Sequence, residues 1–147
     1  MSVEHELSLI AKKHDGLLRA EDVVAFARNK KTALHSQFTW NNTRAAEEYR
    51  LWQARQIIRV TLTTLPETNN EIRAYVSMTA DRYTPGGGYR GMVEVMTAKQ
   101  TRGELLAQAL AELKMWQERY RHLRALVPIF EAREAVERRA VKVNKST

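Results

Sequence analysis

The chain has no cysteine, which excludes disulfides, cysteine-ligated zinc and thiol catalysis. It also lacks any apolar run near the ~20 residues of a membrane span. Its first residues, Met1 to Glu6, are polar and acidic rather than the apolar core of a signal peptide. A soluble, cytoplasmic protein with no membrane partner is the expectation. Catalytic signatures are missing too. There is no His-Glu-x-x-His, no Gly-x-Ser-x-Gly, and no Lys-Ser/Thr pair after a glycine loop.

Single residues that could carry chemistry do not gather into a pattern. His5, His14, His35 and His122 stand at no metal-ligand spacing from one another, so no metal and no cofactor are expected. His35, between Leu34 and Phe38, reads as a packed, hydrogen-bonded residue. Glu21-Asp22 and Glu47-Glu48 are adjacent acids on helices and point in different directions, whereas acid/base chemistry needs two carboxyls across a pocket. The chain reads as a binding protein and not an enzyme.

What is present is a 147-residue chain, 44% hydrophobic and 28% charged, which suits one folded domain with a real core. Its formal net charge of +7 favours an acidic partner, nucleic acid first.

Helical spacing of Val3, Leu7, Ile10 and Ala11 predicts a helix over 3–13, stopped at Asp15-Gly16. A second helix follows Ala20, with Glu21 and Asp22 in its first turn and Val23, Val24, Phe26 and Ala27 as apolar positions. The segment 32–42 carries Leu34, Phe38 and Trp40 and is expected to pack over the core. Asn42 or Thr43 caps a third helix running to Arg59. On that helix Arg44, Arg55, Glu48 and Arg59 fall within about 60° of one another, with Trp52 at the edge, near 80°. Apolar flanks, Ala45, Ala46, Tyr49 and Ile57 on one side and Leu51, Ala54 and Ile58 on the other, border this mainly basic stripe.

Alternating residues then predict three strands, over 60–65, 72–79 and 89–96, joined as an antiparallel meander. The loop Ala80 to Gly88 ends in three glycines and is expected to be mobile. From Leu105 the pattern is a heptad: Leu106, Leu113, Tyr120 and Val127 repeat every seven residues, as do Ala109, Trp116, Leu123 and Phe130. Pro128 is expected to break this helix, with a short helix following to about Arg139. The fold class is α+β: N-terminal helices, a three-stranded antiparallel sheet and a long heptad-patterned helix broken near Pro128. Residues 1–139 form one domain, and 140–147 a basic flexible tail.

The candidate nucleic-acid contacts are Lys30, Lys31, Arg44, Arg55 and Arg59, with Arg82, Tyr83, Tyr89 and Arg90 flanking the glycine loop. Cations neutralise phosphates and exposed aromatics stack on bases. A standard winged helix is disfavoured, because Asn29 to Asn42 separates helices two and three where about 3–4 residues are usual. The candidate partner interface is Leu106, Leu113, Trp116, Tyr120 and Leu123. With Leu106 at an a position, Glu112 and Arg119 are g positions and Arg124 is an e position. A parallel homodimer would oppose Arg119 to Arg124; an antiparallel one could oppose Glu112 to Arg119. The helix is therefore expected to pair antiparallel or to pack within its own chain.

The stretch Leu34-His35-Ser36-Gln37-Phe38-Thr39-Trp40-Asn41-Asn42, followed by Ala45-Ala46-Glu47-Glu48-Tyr49-Arg50 and Gln53-Ala54-Arg55-Gln56-Ile57-Ile58, resembles a family of small, mostly uncharacterised phage and prophage proteins. The likeness extends through Arg73-Ala74-Tyr75-Val76-Ser77 and Tyr89-Arg90 to Leu105–Leu113, over residues 15 to 130. It implies a phage accessory protein, and no catalytic residue comes with it. Two functions follow as expectations: a DNA-binding or DNA-associated protein, or a protein-interaction or assembly module built on the C-terminal helix.

Overall fold

The computed structural model describes residues 1–40 and 43–145. The chain divides into two compact units, Met1–Ala98 and Lys99–Thr147.

Helix α1 (Val3–Lys13) starts where the Ser2 hydroxyl accepts the His5 N–H, with Glu4 and Glu6 in the first turn and Lys12 and Lys13 in the last. It stops as the sequence predicts. Asp15 and Gly16 take positive φ, and the Gly16 N–H donates to the Ala11 carbonyl at 2.8 Å. Strand β1 (Leu17–Leu18) leads into α2 (Ala20–Ala27), which buries Val23, Val24 and Ala27.

The segment after α2 packs as expected. A 3₁₀ turn, Leu34–Gln37, places Leu34 out of solvent and Phe38 in the core. Its start is held from α1: the buried Glu6 carboxylate accepts the N–H groups of Ala33 and Leu34, both at 2.9 Å. The free N–H groups of the turn thus meet a negative charge, which offsets the cost of burying that charge. Helix α3 (Arg44–Val60) is capped by Thr43, whose hydroxyl accepts the Ala46 N–H; Asn41 and Asn42 lie outside the described residues. Ala54 and Ile58 seat α3 in the core beside α2.

The three expected strands are resolved differently. Strands β2 (Leu62–Thr64) and β3 (Glu71–Arg73) form a separate hairpin. Strand β4 (Tyr75–Val76) follows after Ala74, whose carbonyl accepts from Met92 and whose N–H donates to Thr61. After the short helix α4 (Thr79–Arg82), strand β5 (Tyr89–Gly91) lies between β1 and β4, antiparallel to both. The α+β class and the three-stranded antiparallel sheet stand, but the sheet takes its third strand from Leu17–Leu18 and not from 60–65. The expected strand 89–96 ends at Gly91, and Met92–Thr97 is helix α5. Val95, read as an alternating strand residue, is buried from that helix.

In the second unit, α6 (Lys99–Tyr120) and α7 (Val127–Lys145) fold back on each other around a second 3₁₀ turn, Arg124–Leu126. The interruption is at Arg121–Leu126, just ahead of Pro128. The proline opens α7 instead of breaking α6, at a helical position where its missing N–H costs nothing. Helix α7 also runs through residues 140–145, expected as tail; Ser146 and Thr147 lie outside the described residues. Among the described residues no helix is long and apolar enough to cross a membrane.

Candidate functional site

Helix α3 presents two different faces. The inner one carries Arg50, which is 4% exposed and is held by a ring of neighbours. Its guanidinium pairs with Glu47 and donates to the Thr39 carbonyl at 3.2 Å. Glu47 also receives Arg28, from the end of α2, at 3.1 Å. The hydrogen bond from Arg50, reinforced by the charges of both arginines, holds the Glu47 carboxyl below its ordinary pKa against the smaller opposing effect of desolvation.

Trp40 lies under this network. Arg50 and Arg28 stand 5.4 and 5.9 Å from its ring centroid, and His35 stacks on it at 4.8 Å. The indole N–H donates to the His35 carbonyl at 3.0 Å, and His35 Nδ1 is 2.8 Å from the Ala27 carbonyl. That carbonyl can only accept, so Nδ1 carries the proton. Trp40, His35, Arg28, Glu47 and Arg50 therefore brace the α2–α3 connection, and His35 is packed and hydrogen-bonded as expected.

The outer face is the one the basic stripe foretells. Arg44, Arg55 and Arg59 are exposed, and none makes an ion pair among the described residues. The wheel's first apolar flank is buried only in part: Ile57 packs against the core, while Ala45 and Tyr49 are exposed. Tyr49 is 49% exposed and Trp52 51%, and their rings stack at 5.6 Å with an interplanar angle of 16°. Outward-facing arginines and a stacked aromatic pair thus share one helix surface. Tyr49 was not among the expected contacts; its position one turn from Trp52 was the available signal, hidden by counting it with an apolar flank.

The other expected contacts divide. Lys30 and Lys31 are exposed in the turn after α2. Arg28, two residues before Lys30, reaches Glu47, so this turn emerges beside the first turns of α3. Tyr83 is exposed, while Arg82 donates to the Ser77 hydroxyl and carbonyl at 3.3 and 3.2 Å. Tyr89 packs against the core. Arg90 forms a two-pronged pair with the buried Asp81, both bonds 2.7 Å, and so fixes α4 to β5. The glycine loop is tied to its own protein: a Cβ at Gly88 would stand 2.5 Å from Leu17 Cδ1.

The heptad seam is split between inside and outside. Phe130 is buried, as is Leu110 beside the seam, and Trp116 meets Phe130 edge-on at 5.9 Å and Tyr120 at 5.3 Å. Leu106, Leu113 and Leu123 remain 43–44% exposed. Eleven of the 24 lysines and arginines and six of the 17 acids lie in Lys99–Thr147, so +5 of the net +7 belongs to this unit. Arg119, Arg121 and Arg124, exposed around the turn between α6 and α7, form a basic group absent from the expected contacts; the sequence Glu118-Arg119-Tyr120-Arg121-His122-Leu123-Arg124 displays it.

The chain matches no family model, and searches of curated proteins and of solved structures find no match either.

Proposed function

We propose that this protein binds nucleic acid, DNA in the first instance, through the outer face of α3. The observation that carries the reading is the exposed Tyr49–Trp52 stack on the same helix surface as Arg44, Arg55 and Arg59. Arginines without acidic partners are available to phosphates, and the aromatic pair offers a platform for a base. Lys30 and Lys31 extend the positive edge towards α2. Tyr83 is a further exposed aromatic, whereas the roles of Tyr89 and Arg90 are structural.

The aromatic pair favours a strand with unpaired bases over an intact duplex, because a stacking platform needs an open base face. The order of elements, helices followed by the β2–β3 hairpin, is that of a winged helix. The tip of this hairpin argues against a wing on phosphates: it carries Glu67, and the run from Leu62 to Ile72 contains no lysine or arginine. The resemblance to phage proteins supplies a setting, an accessory protein acting on phage or host DNA.

The test is fluorescence anisotropy with a labelled oligothymidine strand and a duplex of equal length, from 50 to 200 mM salt. Tighter binding to the strand, falling steeply with salt, is expected. Absence of binding to either at low salt would overturn the reading.

A further inference from the structure

Two helices laid side by side can cover only one stripe of each other, and here both leave a second stripe bare. On α6 it runs through Leu106 and Leu113; on α7, through Ile129 and Val136. Each of these is 40–51% exposed. The two stripes face one groove of about 320 Å³, floored by Leu110 and Phe130. The polar group at its edge is already satisfied: Arg133 donates to Gln117 at 2.8 Å and to Glu137 at 2.7 Å. The groove therefore offers an incoming surface apolar contact with no unmet charge. Positions 129, 132 and 136 follow the three-and-four spacing of a helix-pairing seam, as 106, 109 and 113 do on α6.

We propose that the occupant is a second copy of this chain, two hairpins closing into a four-helix bundle with their α6 helices antiparallel. Charge placement selects this partner. Glu112 and Arg119 lie on one edge of the α6 stripe, seven residues apart, and both are exposed. A two-fold axis near Met115 sets Glu112 of each copy against Arg119 of the other, and Leu113 against Trp116. The surface is thus complementary to itself, as a two-fold interface must be. The +5 charge of the unit opposes pairing, so association strengthens as salt rises, opposite to the salt dependence of nucleic-acid binding. The inference does not depend on nucleic-acid binding, and either can fail alone.

Sedimentation velocity on the full chain, without nucleic acid and across salt, tests it. The expected species has about twice the 17.0 kDa chain mass. Leu113→Glu and Ile129→Glu should each return the single-chain mass with unchanged helical circular dichroism. Glu112→Arg and Arg119→Glu should each weaken association roughly tenfold, and the double exchange should restore it. A wild-type monomer at 100 μM, as when the groove serves another part of this chain or a foreign helix, would overturn the proposal. So would a dimer that survives Leu113→Glu and Ile129→Glu, or a double exchange that fails to rescue.

Discussion

In the N-terminal unit Leu7, Leu18, Val23, Ala27, Leu34, Ala54 and Ile58 are wholly withdrawn from solvent; in the helical hairpin Leu110, Phe130 and Arg133 are the buried residues among those described. Both regions contain amphipathic helices. The difference is in what faces them. Helices α1, α2 and α3 enclose one another and the small sheet, so each apolar stripe finds a neighbour. Helices α6 and α7 have each other, and Ile129, Val136 and Leu113 stay half-exposed. A unit of this size buries too little apolar surface to be robust on its own, which is the usual reason that short helical hairpins associate.

This contrast can be broken most severely in the first unit. Leu34→Ala should cost about 2–5 kcal/mol, since it opens a cavity where the 3₁₀ turn meets α1 and α2. Ile129→Ala should change the stability of the isolated chain by under ~0.5 kcal/mol. Equal costs in denaturant melts would show that the two regions are not packed differently.

Glu6→Ala comes next, at about 2–4 kcal/mol, because the N–H groups of Ala33 and Leu34 lose the buried carboxylate that accepts them. Glu6→Gln keeps one carbonyl oxygen and should recover part of that loss in the same melt.

The outer face of α3 should show the opposite behaviour: large effects on binding and small ones on stability. Replacing Arg44, Arg55 and Arg59 by glutamine should leave the melting temperature nearly unchanged. It should weaken strand binding at least tenfold at 50 mM salt and flatten the salt slope by about 2. Unaltered affinity would move the contact away from α3.

The smallest expected effects are those of pH. Burial, followed by the charges of Glu94 and Glu4, raises the Tyr75 pKa to about 12. Above pH 10 the unfolded chain gives up this proton while the folded chain keeps it, so stability should fall between pH 10 and 12. Tyr75→Phe should remove that part of the alkaline loss. Glu47 acts in the other direction: its depressed pKa supplies stability above the ordinary carboxyl range, which is lost as pH falls through the folded value. Glu47→Gln should make the first unit less sensitive to acid.

The sequence showed the helices best where ends and faces agreed. Thr43 caps, Asp15-Gly16 stops, and Leu7, Ile10, Ala54 and Ile58 fall at helical spacing. It was least informative where elements are short. Leu17–Leu18 is a two-residue strand with no alternation to read, yet it completes the sheet. Val93 and Val95 alternate as in a strand, but Gly91 is followed by a six-residue helix that buries Val95. Spacing alone could not separate these, because tertiary contact decides such short apolar runs. At the site, the outward arginines were legible from the wheel. The exposure of Tyr49 was not, since a wheel gives direction but not which side a neighbour will cover. Arg90 shows the converse: its charge was plain, and its partner Asp81, nine residues away through a turn, was not.

The most direct test of the account is Trp52 itself. Wild-type protein and Trp52→Phe can be titrated with an unlabelled oligothymidine strand while tryptophan emission is followed. Saturable quenching in the wild type, lost in Trp52→Phe, is the predicted result. Equal quenching in both, or none in a wild-type protein shown by sedimentation to be bound to the strand, would contradict the assignment of the contact to α3.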